Sequence, residues 1–478
     1  MKCQQHKAPM GLGAATLVVC LGFAGCQSTL PSKEEGASAP FSALRAFPGA
    51  DGAGQWSLGG RGGRVYTVTN LEDSGPGSLR DAVEAMGPRT IVFGVSGTIR
   101  LKKELIVRNG RMTIAGQTAP GDGITLRDYP LTIAADDVVV RFIRSRLGDV
   151  TKVDGDAIGV VAGRRIILDH VSASWSSDET LSVAASFKSP DRSWDEVTVQ
   201  WSLIAESLNQ TAAKGPGVEH GFGSLVRGAK GSRVTYHHNL WLHHKDRMPR
   251  PGNYIPPEQD PVGGFFDFRS NVFYNWGDER SGYNMDFKGT HSSYNFVDNC
   301  YWTGPSSKGA WAFEESSSKA QAFFSGNTMN GQMPADPWSL VRSHKSHLPQ
   351  GLPVNYKSEK PFVVAPLRAD PAATACPKVI ERVGASLVRD AVDERLINDF
   401  IQRKGKLINS QEEVGAWPTL HSLPAPLDTD GDGMPDDWEV ANGLDPKNAA
   451  DGEMVDNKSG YTQLEIYLAN LVARKLKP

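Results

Sequence analysis

The sequence predicts an all-β protein, a parallel β-helix followed by a C-terminal extension of different texture, and three observations carry that expectation. From position 90 to about 304 the apolar residues come in short β-branched runs, TIVFGV, LIVR, MTIAG, GITLR, LTIAA, VVVRFI and EVTVQWSLI among them, separated by Gly, Asp and Asn. Runs this short between turn residues read as strands. No helix of ordinary length interrupts them, which argues against alternating βαβ units. Finally, aligning RIILDHVSAS, TVQWSLIAES, TYHHNLWLHH, DFRSNVFYNW and YNFVDNCYWT places His170, Ser202, Asn239, Asn271 and Asn299 in register, at steps of 32, 37, 32 and 28 residues. A unit of that length holds three short strands plus loops, and such units stack as rungs that cover one another. Asn239, Asn271 and Asn299 are the expected rung-to-rung hydrogen-bonding ladder. A β-sandwich is the competing architecture, but its strands recur faster.

Composition agrees with a turn-rich β protein: 50 Gly and 30 Pro in 478 residues, with 39% hydrophobic. Lys plus Arg number 51 against 54 Asp plus Glu, so no global field favours nucleic acid or an anionic membrane as partner, and any basic site must be local. A monomer is expected.

Taken in chain order, residues 1–25 read as an export signal: Lys2 and Lys7, then the apolar run MGLGAATLVVCLGFAG. FAGC at 23–26 resembles the bacterial lipoprotein box, which makes Cys26 the lipidation site; an ordinary secretory cleavage nearby is the alternative. Both readings export the protein, as a secreted or cell-surface (outer-membrane) lipoprotein of a bacterium, with membrane contact only through a lipid anchor. Residues 26–40, polar and Ser/Pro-rich, form a flexible tether. Processing removes Cys3 and Cys20, and leaves Cys300 and Cys376 as thiols whose pairing the sequence leaves open. The β-helix is expected over 41–332. An irregular extension over 333–427 carries a helix at 388–404, with Val388, Val392, Leu396 and Phe400 on one face.

The last unit, 428–478, opens with DTDGDGMPDDWE. Asp428, Asp430, Asp432 and Asp436 stand at loop positions 1, 3, 5 and 9, Gly433 at 6 and Glu439 at 12, the ligand pattern of an EF-hand calcium loop. With only a short helix after it and none before it, a structural clip is expected, closed by a helix from about 460. A solvated acidic turn is the alternative.

The stretch HHNLWLHHKDRMPRPG at 237–252 gathers two His pairs, Lys245, Arg247 and Arg250 around one acid, Asp246. Such a cluster calls for an anionic partner. In this reading His243, His244, Lys245 and Arg250 are neighbouring cations able to depress the pKa of Arg247.

AFPGADGAGQWSLGGRGGRVYTVTNLEDSGPGSLRDAV, TIAGQTAPGDGITLR, IILDHVSASWSSDETLS and HHNLWLHHKDRMPR resemble successive signatures of the pectate lyase superfamily, polysaccharide lyase family 1. The match runs over about 46–304, and the helix at 388–404 and the DTDGDGMPDDWE tail resemble extensions of bacterial members. The resemblance implies a right-handed parallel β-helix that cleaves polygalacturonate or pectate, an acidic polysaccharide, by calcium-assisted β-elimination, leaving 4,5-unsaturated galacturonate ends. It also implies residue roles. Arg247 in DRMPR matches the base that takes the C5 proton, and Asp156 and Asp178 match calcium-binding acids, with Asp154 a weaker addition. Ser182 stands where a third acid is usual, with Glu179 a possible substitute, and Gly252 stands where a second Arg is usual. Arg250 and Lys245 are the expected contacts to substrate carboxylates; for Lys214, in the long loop 206–224, a uronate contact and a solvated loop lysine are equally good readings. Asp169 and His170 are expected to be structural.

Three other functions fit parts of the sequence. A β-helix glycoside hydrolase of the polygalacturonase type would show clustered carboxylates without the basic turn. A non-catalytic polysaccharide-binding β-helix would need neither Arg247 nor an acid-lined calcium site. Action on esterified pectin would lessen the need for calcium.

Overall fold

The computed structural model describes residues 44–185, 193–284, 289–367 and 369–475. The signal, the tether and Cys26 lie outside the described residues. From Leu44 onward the chain forms one compact unit.

The unit is a parallel β-helix. Ten strands, from Arg64–Val68 to Ala320–Ser325, stack in one path as the first sheet, and nine, from Gly97–Arg100 to Thr328–Met329, form the second. The third face runs through Leu105–Val107, Leu131–Ala134, the start of Ile158–Asp169, Leu181–Ala184, Leu225–Arg227 and Arg250–Gly252. It continues through Arg280–Tyr283, Trp311–Glu315 and Val341–Ser343. The strand pairings are all parallel, for example Thr198 opposite Thr235 and Asp267 opposite Asn295. Interior positions stack like on like. Tyr236, Phe268, Phe296 and Phe324 form one column, with ring centroids 5.6, 5.2 and 5.7 Å apart. Trp241, Phe273 and Tyr301 form another, each contact adding to simple area burial.

The asparagine ladder exists and is longer than the sequence suggested. Asn239 Nδ2 donates to Asn271 Oδ1 (3.1 Å), Asn271 to Asn299 (3.0 Å) and Asn299 to Asn327 (2.9 Å). Each Oδ1 also accepts the backbone N–H one rung earlier, beginning with Ser202 N on Asn239. His170 is not in this column. Val171 is, its N–H donating to Ser202 Oγ, so the first step is 31 residues. His170 sits one place earlier, at the corner between the first and second sheets. There Phe142, His170, Trp201 and His238 all hold φ between 50° and 55°, and their rings form a column at 4.7, 6.0 and 4.3 Å. A left-handed non-glycine residue costs on the order of 1 kcal/mol. Here stacking and rung-to-rung N–H···O bonds such as His170 to Gln200 and Trp201 to His237 offset it.

The glycine-rich segment 46–63 lies across the outside of the first sheet, with Ala53 N, Gly54 N and Gly60 N donating to Thr235, Thr198 and Thr113 hydroxyls. A Cβ on Gly54 would fall 2.1 Å from the Ile166 carbonyl oxygen, and one on Gly60 2.1 Å from that of Arg89, so only glycine permits this approach. Helix Leu79–Glu84 turns Leu79, Ala82 and Val83 into the same core as the first rungs.

The C-terminal extension packs on outer faces. Helices Ala372–Arg382 and Ala391–Ile401 bury Val379, Leu396 and Phe400 against Leu203, Leu240, Val272 and Tyr274 of the second sheet. Buried Arg146 pairs with Asp390 and Asp393, and Arg395 makes two bonds to Glu206. Helices Asp436–Asn442 and Gln463–Lys475 pack Trp438, Leu464, Tyr467 and Leu468 on Val92 and Ala115. Cys300 and Cys376 are both free thiols.

Asn271→Ala removes one donor and leaves the buried Asn239 N–H without its acceptor, at about 1–3 kcal/mol per unsatisfied group. Denaturant unfolding should show a loss of several kcal/mol, whereas an Asn→Ala change at exposed Asn448 should leave the midpoint unmoved.

Candidate active site

The turns that lead into the third-face strands bring the charged residues together. Asp156 precedes the strand that begins at Ile158, Asp178 and Glu179 precede Leu181–Ala184, and Phe222 precedes Leu225–Arg227. Asp246 and Arg247 precede Arg250–Gly252. Isolated parallel bridges set Glu179 beside Phe222 and Phe222 beside Asp246 on successive rungs. Residues far apart in the chain thus become neighbours one rung spacing, about 4.8 Å, apart.

Carboxylate oxygens of Asp156, Asp178 and Glu179 lie within 4.8 Å of one another. Glu179 N donates to Asp156 Oδ1 (3.2 Å). Burial, reinforced by the Asp178 charge, pushes the Asp156 carboxyl up. Burial also acts to raise Asp178, but the His220 hydrogen bond and the Lys214 charge outweigh it and hold Asp178 low. Lys214 Nζ lies 2.6 Å from Asp154 and 3.1 Å from Asp178, and His220 Nε2 lies 2.6 Å from Asp178. The donor set is all hard oxygen, the ligand type that a calcium ion takes. Asp154, half-exposed and engaged by Lys214, stands outside the three-acid cluster.

Arg247 reaches into this cluster, with Nη1 on Glu179 and the guanidinium 3.7 Å over the Phe222 ring. Its N–H donates to Asp246 Oδ1, its φ is 61°, and its buried Nε has no partner. Burial pushes the pKa of Arg247 down and Arg250 adds to this, while Tyr283 and Asp178 oppose it. Arg250 and Arg280 lie 5.4 and 4.3 Å over the Tyr283 ring. Lys245 points away, its Nζ paired with exposed Glu219.

His244 is not the cation the sequence suggested. His243 and His244 are fully buried. His244 Nε2 donates to the Ile204 carbonyl and Nδ1 accepts from Ser207, and burial drives its pKa down to about 3. His243 Nδ1 accepts from Asn275. Both are joints between rungs, and Arg250 is the neighbouring cation that acts on Arg247. Asp169, held by Arg141, His170 and Gln200, is likewise structural. His220, Phe222 and Arg280 escaped sequence reading, because only the rung register sets them beside Asp178 and Arg247.

At the C-terminus, carboxylate oxygens of Asp428, Asp430 and Asp432 cluster, and so do those of Asp432, Glu439 and Asp451. Asp436 is outside both groups: its oxygens accept from Thr429 N and Oγ1. Asp451, which the twelve-residue pattern does not contain, is inside.

The fold and site define a parallel β-helix protein with a carboxylate cluster and a basic turn on one long face. The chain is 38% identical over 441 residues to a probable pectate lyase C of Emericella nidulans, covering 90% of this chain and 93% of that one. It is 37% identical over 442 residues to a probable pectate lyase C of Aspergillus flavus, covering 90% and 95%. The major allergen of cedar pollen superposes with a TM-score of 0.50 at 18% identity, covering 70% of this chain and 92% of the allergen, a likeness of fold. No family model matches the chain. The chain belongs to the pectate lyase family.

His244 charges at an ordinary 6.5 when unfolded but only near 3 when folded. The unfolded chain therefore takes the proton first, so the stability that neutral His244 contributes is complete above pH 6.5 and drains away as pH falls towards 3. Thermal unfolding should show Tm falling between pH 6.5 and 4, with a shallower fall in His244→Gln.

Proposed function

We propose that this protein is a calcium-assisted lyase of polygalacturonate or pectate, with Arg247 as its base. The observation that carries this reading is the Arg247 guanidinium set against the Asp156, Asp178 and Glu179 carboxylates on an accessible face of the solenoid. Calcium would be held by Asp156, Asp178 and Glu179, with Asp154 at the margin, and when bound it supplies Lewis-acid polarisation of the uronate carboxylate. Glu179 takes the part left vacant by Ser182.

The C5 proton of a uronate is acidic only because the resulting carbanion is conjugated with the C6 carboxylate. Arg247 accepts that proton, the C5–H electron pair becomes the C4–C5 double bond, and the C4–O4 bond breaks with its pair on O4, which then takes a proton. For Arg247 to act so it must first be neutral, which its burial, the Arg250 charge and loss of the Glu179 ion pair to calcium all favour. Arg250 and Lys214 place fixed positive charge beside the negative charge that builds up on the carboxylate. Lys245, on the Glu219 side of the same turn, is a contact for a more distant sugar.

The glycosidase reading keeps one supporting observation, the opposite displacement of the two neighbouring carboxyls, Asp156 upward and Asp178 downward. The products decide between the two: hydrolysis gives new reducing ends without an unsaturated uronate.

The export reading rests on residues 1–26. No helix among the described residues is long and apolar enough to cross a membrane, and the relatives named above are fungal. Bacterial lipidation at Cys26 thus stands on the FAGC box, and mass analysis of the mature N-terminus tests it.

With polygalacturonate as substrate, ultraviolet absorbance of unsaturated product should rise with calcium and vanish with chelator. Arg247→Ala should lower kcat by about 10²–10⁴-fold, the usual range for loss of a general base. Glu179→Gln should raise the calcium concentration that gives half-maximal rate. Full activity in Arg247→Ala would overturn the assignment of the base.

A further inference from the structure

We infer that Asp428, Asp430, Asp432, Glu439 and Asp451 form a second divalent-cation site, of calcium type, that clamps the C-terminal segment onto the first sheet of the β-helix. This site lies on a different part of the molecule from the lyase cleft and does not depend on the reading of that cleft.

Glu439 is fully buried, and neither of its carboxylate oxygens has a partner. Asp430 Oδ2, Asp432 Oδ2 and Asp451 Oδ1 are buried without partners as well. In each of these three aspartates the other oxygen is fixed by a backbone N–H: Asp430 Oδ1 by Asp432 N, Asp432 Oδ1 by Met434 N, and Asp451 Oδ2 by Asp445 N. Asp428 is oriented by Gly431 N and Gly433 N. The side chains are therefore locked, and their carboxylates form two groups, Asp428, Asp430 and Asp432 and then Asp432, Glu439 and Asp451, joined through Asp432. Among the described residues no Lys, Arg or His forms an ion pair with any of the five. Leaving buried carboxylates together without a counter-charge is costly, and a hard cation taking six to eight oxygens is the partner that satisfies them.

Space has been kept for it. A Cβ on Gly452 would lie 2.4 Å from Asp432 Oδ2, so glycine after Asp451 lets the 451–453 turn close against the loop. Asp451 replaces Asp436, whose oxygens are spent on Thr429. It enters from a separate turn, so the ion joins two stretches of chain instead of closing one loop on itself.

What these stretches carry explains the clamp. Between Asp432 and Glu439 the chain buries Met434 and Trp438 against Val92 and Ala115, and beyond Asp451 the helix Gln463–Lys475 adds Leu464, Tyr467 and Leu468 to the same cluster. Glu465 of that helix pairs with Arg61 at 2.8 Å. Without the cation, five crowded carboxyl groups sit beneath this contact with no counter-charge.

The test uses the full-length protein, stripped of metal, with calcium chloride as probe. Titration calorimetry should find calcium equivalents in wild type of which Glu439→Gln and Asp451→Asn each lose the same one, while Asp178→Asn keeps it. Thermal unfolding should show a reversal of order: in chelator Glu439→Gln is as stable as wild type or more so, because a repelling charge has gone, and in calcium it is the less stable. Limited proteolysis should release the 428–475 segment from wild type in chelator and not in calcium. Equal calcium stoichiometry in wild type and both variants, or a segment equally protected with and without calcium, would overturn the inference. Loss of calcium binding in Asp178→Asn alone would remove this site and leave the cleft reading intact.

Discussion

The register between successive rungs is the constraint on which the rest of this protein depends. A parallel β-helix has no local signal that fixes how one coil lies on the next, since backbone pairing is satisfied by any in-plane slip. Here the buried ladder from Ser202 through Asn239, Asn271 and Asn299 to Asn327 supplies it. Each amide both donates to and accepts from the neighbouring rungs, so a slip by one residue would strand buried polar groups in each coil from Ser202 to Asn327. The His, Trp and Phe column at the adjacent corner holds the same register through stacking.

From that register follows the arrangement of charge on the third face. Aspartate, glutamate and arginine from separate coils meet at rung spacing, and the surrounding side chains divide the work by burial. His243 and His244 become buried connectors between coils, Asp169 is committed to a buried network, and Arg247 stays against the Asp156, Asp178 and Glu179 group. Lys214 and His220 partly balance those acids. Those acids, two coils' worth of them, lie on the same face as Arg247 only because the coils are in register.

Legibility in the sequence followed the distance over which each interaction acts. Asn239, Asn271 and Asn299 could be found because a fixed side-chain requirement recurs once per coil. Asn327 is harder to read because Gly326 stands before it, where the other ladder asparagines follow His238, Ser270 and Asp298. His170 was placed one residue out of register because its left-handed corner residue occupies the position beside the ladder, and a one-residue difference at a turn leaves no mark on the pattern of apolar residues. His244 reads as a cation because sequence gives residue type but not burial, and burial lowers its pKa.

The sequence by itself determined that the chain is a stack of short strands, where its chemistry-bearing stretches lie and which family signatures they resemble, because strand periodicity, turn residues and ordered motifs are local properties of the chain. Only the tertiary structure decided which charged groups face each other. Glu179 against Arg247, His220 on Asp178, Asp451 in place of Asp436 and the neutrality of His244 all depend on which coil lies over which, and on how much water that contact removes.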